Sequence, residues 1–196
     1  MKDECVCKRF FYLLRMLLKK RACLKQFLSN SDDCLSRIED LSHSYLIRFH
    51  IKLVALDFDG VLSSHGQEQP AESVRAWLTQ LDKEFPLKQV CIYSNNLFDQ
   101  RIQYLENAFP DIEIIRFTKK KPYPDDLLKI AEKRQLKPKA ILVIDDRLTS
   151  GILSACLIGA KALLITKPFI NYRAATIKEL FFTAIRFIER KVIQWL

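Results

Sequence analysis

Asp57 and Asp59 stand one residue apart, directly after the apolar run Leu53-Val54-Ala55-Leu56 and directly before Gly60-Val61. Alternate side chains of an extended chain point to the same side. Two carboxylates at this spacing can share a site in which one attacks or binds metal while the other moves a proton. At the C-terminal end of a buried strand, the pair would lie where open α/β sheets take ligands. Taken alone, D-x-D-G also describes an acidic turn that merely ends a strand.

Three further segments carry matching chemistry in chain order. Val90-Cys91-Ile92-Tyr93 ends in Ser94-Asn95-Asn96, a hydroxyl and two amides at the tip of a second apolar run. Lys119-Lys120-Lys121-Pro122-Tyr123-Pro124 is a rigid basic turn ahead of a helix. Ala140-Ile141-Leu142-Val143-Ile144 is a third apolar run, and it ends in the carboxylates of Asp145 and Asp146. Each segment has a plainer reading: Ser94 as a helix cap, Lys121 as a solvated lysine, Asp145-Asp146 as a loop entry. Their order along the chain favours a single shared site over three coincidences.

The elements that must position these residues follow from periodicity. Strands are predicted near 52–57, 89–94, 112–116, 140–145 and 161–166, alternating with helices near 70–82, 98–108, 124–134 and 150–158. Such alternation specifies an α/β fold, a Rossmann-like, doubly wound and mostly parallel sheet with helices on both faces. Every motif residue then falls at a strand end or in the loop after it, so the motifs converge on one edge of the sheet.

On these residues the chain resembles phosphatases of the haloacid dehalogenase-like superfamily, and within it the YqeG-type, phosphatidylglycerophosphate-phosphatase-like branch. The four superfamily motifs have counterparts at Asp57/Asp59, Ser94, Lys121 and Asp145/Asp146. Ser36-Arg37-Ile38-Glu39-Asp40-Leu41 with Tyr45-Leu46, Ser94-Asn95-Asn96 and Ile185-Arg186-Phe187-Ile188-Glu189-Arg190 are similar to the branch. The resemblance runs from about residue 36 to the end, which divides the chain into a basic amphipathic segment at 1–30 and a phosphatase domain at 36–196. It implies Asp57 as the nucleophile of an aspartyl-phosphate and as a metal ligand, with Asp59 as acid and base and its carbonyl on the metal. It also implies Ser94, Asn95 and Lys121 as phosphate contacts, Asp145 and Asp146 as further metal ligands, and Mg²⁺ as the cofactor. Mg²⁺ suits such a site because it takes hard oxygen ligands and retains waters.

Two positions depart from the pattern. Val61 stands where the superfamily has Thr. Ser150 and Gly151 align with the Thr and second Asp of the branch's last motif. No cap domain is expected, because the intervals from Asp59 to Ser94 and from Ser94 to Lys121 hold little beyond a helix and a strand. An uncapped site suits a phosphate displayed on a membrane or macromolecule. His65, after the first motif, is read as a solvated loop histidine with a headgroup contact as the alternative.

The 196 residues, 49% of them apolar, can fill one α/β core. Membrane spans need roughly 18 uninterrupted apolar residues, and Arg15 and Lys19 break the N-terminal run. Asp3 and Glu4 do not suit a secretory signal. A cytoplasmic protein, peripheral on the membrane, is the expectation. The six cysteines, Cys23, Cys34, Cys91 and Cys156 among them, lack metal-site spacing and are expected to stay reduced. Cys5 and Cys7 are candidates for acylation.

The formal net charge of +9 is concentrated near the N-terminus. Lys8, Arg9, Arg15, Lys19, Lys20, Arg21 and Lys25 interleave with Phe10, Leu13, Leu14, Leu17, Leu24 and Leu28 at helical spacing. Such a helix suits an anionic lipid surface, each near-surface cation contributing about 1 kcal/mol. Its alternative is ordinary packing on the domain. The segment 177–196 reads as a second amphipathic helix that packs through Phe181, Ala184, Ile185, Ile188 and Val192, with Trp195, Arg186, Arg190 and Lys191 as candidates for lipid contact. No nucleic-acid partner is expected. The expected function is a Mg²⁺-dependent phosphatase acting on phosphatidylglycerophosphate or a similar lipid phosphate. A weakly active regulatory module, or a phosphatase for soluble or protein-borne phosphates, stands as the alternative.

Overall fold

The computed structural model describes residues 6–116 and 118–196. Strands β1 (Cys34–Leu35), β2 (Leu53–Leu56), β3 (Val90–Ile92), β4 (Glu113–Ile114), β5 (Ile141–Asp145) and β6 (Lys161–Ile165) form one sheet. Their order is β1-β6-β5-β2-β3-β4, and all the pairings are parallel. The order reverses beside β2, which is where a doubly wound sheet opens a crevice for ligands.

The central strands are apolar at consecutive positions because both of their faces are covered. Leu53 and Ala55 of β2, with Ile141 and Val143 of β5, enter a core closed by α1 (Val6–Ser29), α5 (Asp125–Lys133) and α6 (Leu153–Ile158). The alternate residues Val54, Leu56, Leu142 and Ile144 enter a second core. That core is closed by α2 (His43–Arg48), α3 (Glu72–Glu84) and α4 (Asp99–Ala108). Local signals agree with these elements. Helix α5 begins with Asp125 and Asp126 and ends with Lys133, each sign matching the helix dipole. Helix α6 stops at Gly159, whose φ of 75° is left-handed.

Each strand and helix expected between residues 52 and 166 has a counterpart. The helix expected from 150 opens instead as an irregular turn, Leu148–Ile152, with α6 following. Strand β1 and helix α2 were not anticipated. β1 is only two residues long and exists through its pairing of Cys34 and Leu35 with Leu164 and Ile165, a tertiary contact with no local periodicity.

Helix α1 takes the packing alternative on one side. Met16, Leu17, Leu24 and Phe27 are buried in the first core, whereas Phe10, Phe11, Leu14, Leu18 and Leu28 are exposed. Residues 6–29 thus share a core with the expected 36–196 domain. The expectation of reduced cysteines fails at one pair: Cys23 of α1 and Cys156 of α6 form a disulfide, their Cα atoms 6.3 Å apart. Packing of α1 on α6 brings the two residues within bridging distance, which no sequence spacing could announce. Cys91 is a buried thiol, Cys34 a half-buried one, and Cys7 is exposed. Asp3, Glu4 and Cys5 lie outside the described residues.

The C-terminal helix α7 (Tyr172–Trp195) corrects a second expectation. Phe181, Ile188 and Val192, read as its packing face, are exposed, while Glu179, Arg186 and Glu189 are buried. Between Glu179 and Glu189 the helix turns these three charged side chains inward, and only further along does an apolar one, Ile193, enter the first core. The reason lies in what it covers, which is the motif edge of the sheet.

Candidate active site

Strands β3, β2 and β5 are neighbours, so their C-terminal tips deliver Ser94, Asp57 and Asp145 to adjacent positions. The Asp57 N–H donates to the Ile144 carbonyl at 2.9 Å, which continues the β2–β5 ladder into the site. Gly60 then turns the chain with a φ of +83°, a conformation that favours glycine. A Cβ there would also collide with the Asp146 carboxylate.

Lys121 arrives from the basic turn and is 1% exposed. Its Nζ lies 2.6 Å from Asp145 Oδ2 and 3.1 Å from Asp57 Oδ2. Burial alone would lower its pKa, but the two carboxylates outweigh that and raise it, so the lysine is cationic. The Lys121 backbone N–H donates to Asn95 Oδ1 at 2.7 Å, tying the turn to the tip of β3. Helix α1 supports the same turn from outside. The Arg9 guanidinium donates to the Lys121 carbonyl at 2.5 Å, and Tyr12 stacks on Tyr123 with ring centroids 4.1 Å apart.

Asp57, Asp145 and Asp146 are buried, and one carboxylate oxygen from each lies within 4.8 Å of the others. Asp145 accepts from the backbone N–H groups of Arg147 at 2.8 Å and Gly151 at 2.9 Å. Burial, then the charge of Asp57, pushes its pKa up against the opposing pull of Lys121. Asp146 is pushed up to about 8, by burial first and by Asp145 second, although Arg186 opposes the shift from 2.6 Å. Crowded buried carboxylates whose charged forms are disfavoured are what a divalent cation relieves. The donor set of hard carboxylate oxygens therefore fits Mg²⁺.

The second carboxylate of the opening pair is held elsewhere. Asp59 accepts from Arg101 Nη2 at 2.9 Å and Nη1 at 3.3 Å, from Asn96 Nδ2 at 2.9 Å and from the Gly66 N–H at 3.3 Å. A cavity of about 410 Å³ joins Asp57, Asp59, Ser94, Asn95 and Asp146 to Lys178, Phe181 and Phe182 of α7. All the residues expected in the site are thus brought to one edge of the sheet, with Lys121 and Asp145 directly behind Asp57.

His65 is not the solvated loop residue expected. It is 6% exposed, its Nδ1 lies 3.0 Å from Glu179 Oε2, and its ring stacks on Phe182 at 4.0 Å. The open mouth implied by the missing cap domain is walled on this side by α7. Arg186 meets Asp146, Glu189 meets Arg147 at 2.5 Å and also accepts from the Thr149 hydroxyl, and Glu179 accepts from the His65 N–H at 3.0 Å. Sequence reasoning missed Arg101, Arg147 and the roles of Glu179, Arg186 and Glu189. The last three did carry a signal: charged residues at i, i+7 and i+10 lie on one helical face.

A family model described as mitochondrial PGP phosphatase matches residues 13–170. No curated protein matches the chain. Among solved structures, a haloacid dehalogenase-like hydrolase from Streptococcus pneumoniae is 15% identical, covering 66% of this chain and 91% of its own at a TM-score of 0.44. The 3-deoxy-D-manno-octulosonate 8-phosphate phosphatase from Moraxella catarrhalis, solved with magnesium, phosphate and KDO, is 18% identical over 78% of this chain and 99% of its own, at a TM-score of 0.44. A haloacid dehalogenase-superfamily hydrolase from Geobacter sulfurreducens is 18% identical over 66% of this chain and 99% of its own, at a TM-score of 0.42.

Proposed function

Because the chain belongs to the mitochondrial PGP phosphatase family, within the haloacid dehalogenase-like phosphatases, we propose that it removes the terminal phosphate of phosphatidylglycerophosphate or a similar lipid phosphomonoester at a membrane surface. The observation that carries the chemistry is the contact of Lys121 Nζ with both Asp57 and Asp145. A phosphate dianion repels an anionic nucleophile unless fixed cations and donors neutralise its oxygens. Lys121 supplies such a charge beside Asp57, and the Ser94 hydroxyl and Asn95 amide supply donors on the adjacent strand tip. Asp57 attacks phosphorus, and the bond from phosphorus to the leaving oxygen breaks as Asp59 gives that oxygen a proton. Water then attacks the aspartyl-phosphate, Asp59 takes the water proton, and Asp57 departs as carboxylate. Mg²⁺ would be held by Asp57, Asp145, Asp146 and the Asp59 carbonyl, and when bound would supply further positive charge against the phosphoryl oxygens.

The lipid assignment rests on the inverted amphipathicity of α7. Ile177 and Trp195 are each 85% exposed, and Leu180, Phe181, Phe187, Ile188 and Val192 are exposed between them. Exposed apolar patches of this kind mark interaction sites. Lys25, Arg190 and Lys191 rim a groove between α1 and α7 that is suited to anionic headgroups. Phe181 belongs both to this surface and to the cavity that reaches Asp57. No helix among the described residues is long and apolar enough to cross a membrane, which fits attachment at the surface.

The test is phosphate release by wild type and Asp57→Asn, with and without Mg²⁺, on phosphatidylglycerophosphate in mixed micelles and on an aryl phosphate. Release from the lipid that is abolished by Asp57→Asn and by chelator is expected. Release from the aryl ester alone would discard the lipid assignment. No release from either by folded, Mg²⁺-loaded protein would leave a non-catalytic binding module.

A further inference from the structure

Arg101, like Asp145 of the site, is wholly enclosed, and neither the motifs nor the family description gives it a role. It sits in the first turn of α4 and is 0% exposed. Nη1 donates to Asp59 Oδ2 at 3.3 Å and to the Asn96 carbonyl at 2.6 Å. Nη2 donates to Asp59 Oδ1 at 2.9 Å and to the Gln67 carbonyl at 2.6 Å, and Nε donates to the same carbonyl at 2.9 Å. Each guanidinium N–H therefore has an acceptor. The ring of Phe58 lies 3.8 Å from the guanidinium carbon and that of Phe98 lies 4.6 Å from it, giving the planar group an aromatic bed.

This arrangement reaches beyond packing. The planar fork grips both oxygens of the Asp59 carboxylate and, through Gln67 and Asn96, the two loops that flank it. Among the described residues, that carboxylate accepts from three N–H donors, Arg101, Asn96 and Gly66. A carboxylate gripped on both oxygens in this way is fixed in orientation. We propose that Arg101 is the positioning residue for Asp59, holding it as the oriented base for hydrolysis of the aspartyl-phosphate. The inference rests on the role given to Asp59 above. In the step concerned, the water oxygen bonds to phosphorus, the phosphorus–oxygen bond to Asp57 breaks with its electron pair left on the carboxylate, and the water proton passes to Asp59. A lysine would keep the charge and lose the fork.

The discriminating measurement is the pre-steady-state course of Mg²⁺-loaded full-length enzyme on p-nitrophenyl phosphate, whose leaving group needs little protonation. Arg101→Lys is expected to release nitrophenol in a burst near one equivalent, followed by a steady rate lowered roughly 100-fold, the lower end of what acid–base groups supply. Acid quenching should trap more phosphoenzyme than in wild type. Phe98→Leu, which removes one face of the bed and leaves the charge, guards against a misfolded Arg101 variant and should raise the ratio of burst to steady rate in the same direction by a smaller factor. Burst and steady phases falling by one common factor, or an unchanged ratio in both variants, would overturn the positioning role while leaving the phosphatase reading intact. Absence of turnover in wild type would overturn both.

Discussion

Gly151 looked like a loss in the sequence, since the related branch places a second Asp there. In the fold it is a fit. A Cβ at residue 151 would lie 3.0 Å from both Cβ and Cγ of Asp145, and closer still to Oδ2, while the Gly151 N–H donates to that same oxygen. A longer side chain would displace the carboxylate that Lys121 also grips. Gly151→Asp, which restores the branch pattern, should therefore lower Mg²⁺-dependent phosphatase activity at least about tenfold, in line with losses seen when groups around metal ligands are disturbed. A Mg²⁺ titration of the rate would check this, and a rise in activity would show that Asp145 yields without cost. A second residue-scale prediction concerns stability. Burial raises the pKa of Asp126, but hydrogen bonds from the Thr118 hydroxyl and from Lys129, then from the backbone N–H groups of Thr118 and Lys119, outweigh it and hold the group below its ordinary value. A depressed folded pKa stabilises the fold above the unfolded value, near 3.9, and the contribution is lost as pH falls through the lower folded value. The Tm difference between wild type and Asp126→Asn should thus be widest at pH 6 to 7 and shrink below about pH 4. A difference that does not vary with pH would assign the effect to packing.

At the scale of elements, α1 and α7 are where the fold exceeds the motifs. Helix α1 buries Leu24 completely, braces the Lys121 turn through Arg9 and Tyr12, and is bonded to α6 through Cys23–Cys156. With the two cysteines 133 positions apart in sequence, the cross-link removes much loop entropy from the unfolded chain, and about 2–4 kcal/mol of stability is expected from it. Reductant should lower the Tm of wild type but not that of Cys156→Ala. Equal behaviour of the two would mean that the thiols are not paired in solution. The strands, their order along the chain and the motif residues at their tips were legible because each rests on local information: an apolar run, then a polar tip. β1, the disulfide, buried His65 and the inward charges of α7 were not, because each exists only through a partner distant in sequence. His65 reads as a loop residue until Glu179, 114 residues later, returns to it. The face Phe181, Ile188 and Val192 was rightly seen as one stripe, but amphipathicity gives a direction only when the polar side faces water. Here the polar side faces Asp146 and Arg147.

For the whole molecule the question is what the outward apolar surface meets. The proposed anionic-lipid surface rests on the formal net charge of +9, the groove rimmed by Lys25, Arg190 and Lys191, and the exposed aromatic residues of α1 and α7. Neutral lipid would offer the apolar contact without the attraction. Trp195 reports on this directly, because it is 85% exposed at the end of α7, and the other tryptophan in the chain, Trp77 of α3, is half-buried. Vesicles containing phosphatidylglycerol should shift its emission to shorter wavelength, phosphatidylcholine vesicles should do so weakly, and Trp195→Phe should remove most of the change. Raising salt well above 0.15 M shortens the Debye length from about 8 Å and should weaken the binding, since much of the attraction comes from cations near the surface. A salt-insensitive shift would assign the contact to apolar burial alone. No shift with any vesicle, accompanied by sedimentation that depends on protein concentration, would give the same surface to a second copy of the chain. In that case the neighbour of Phe181 at the cavity mouth would be protein, and an enzyme for soluble phosphates would replace one working at a bilayer.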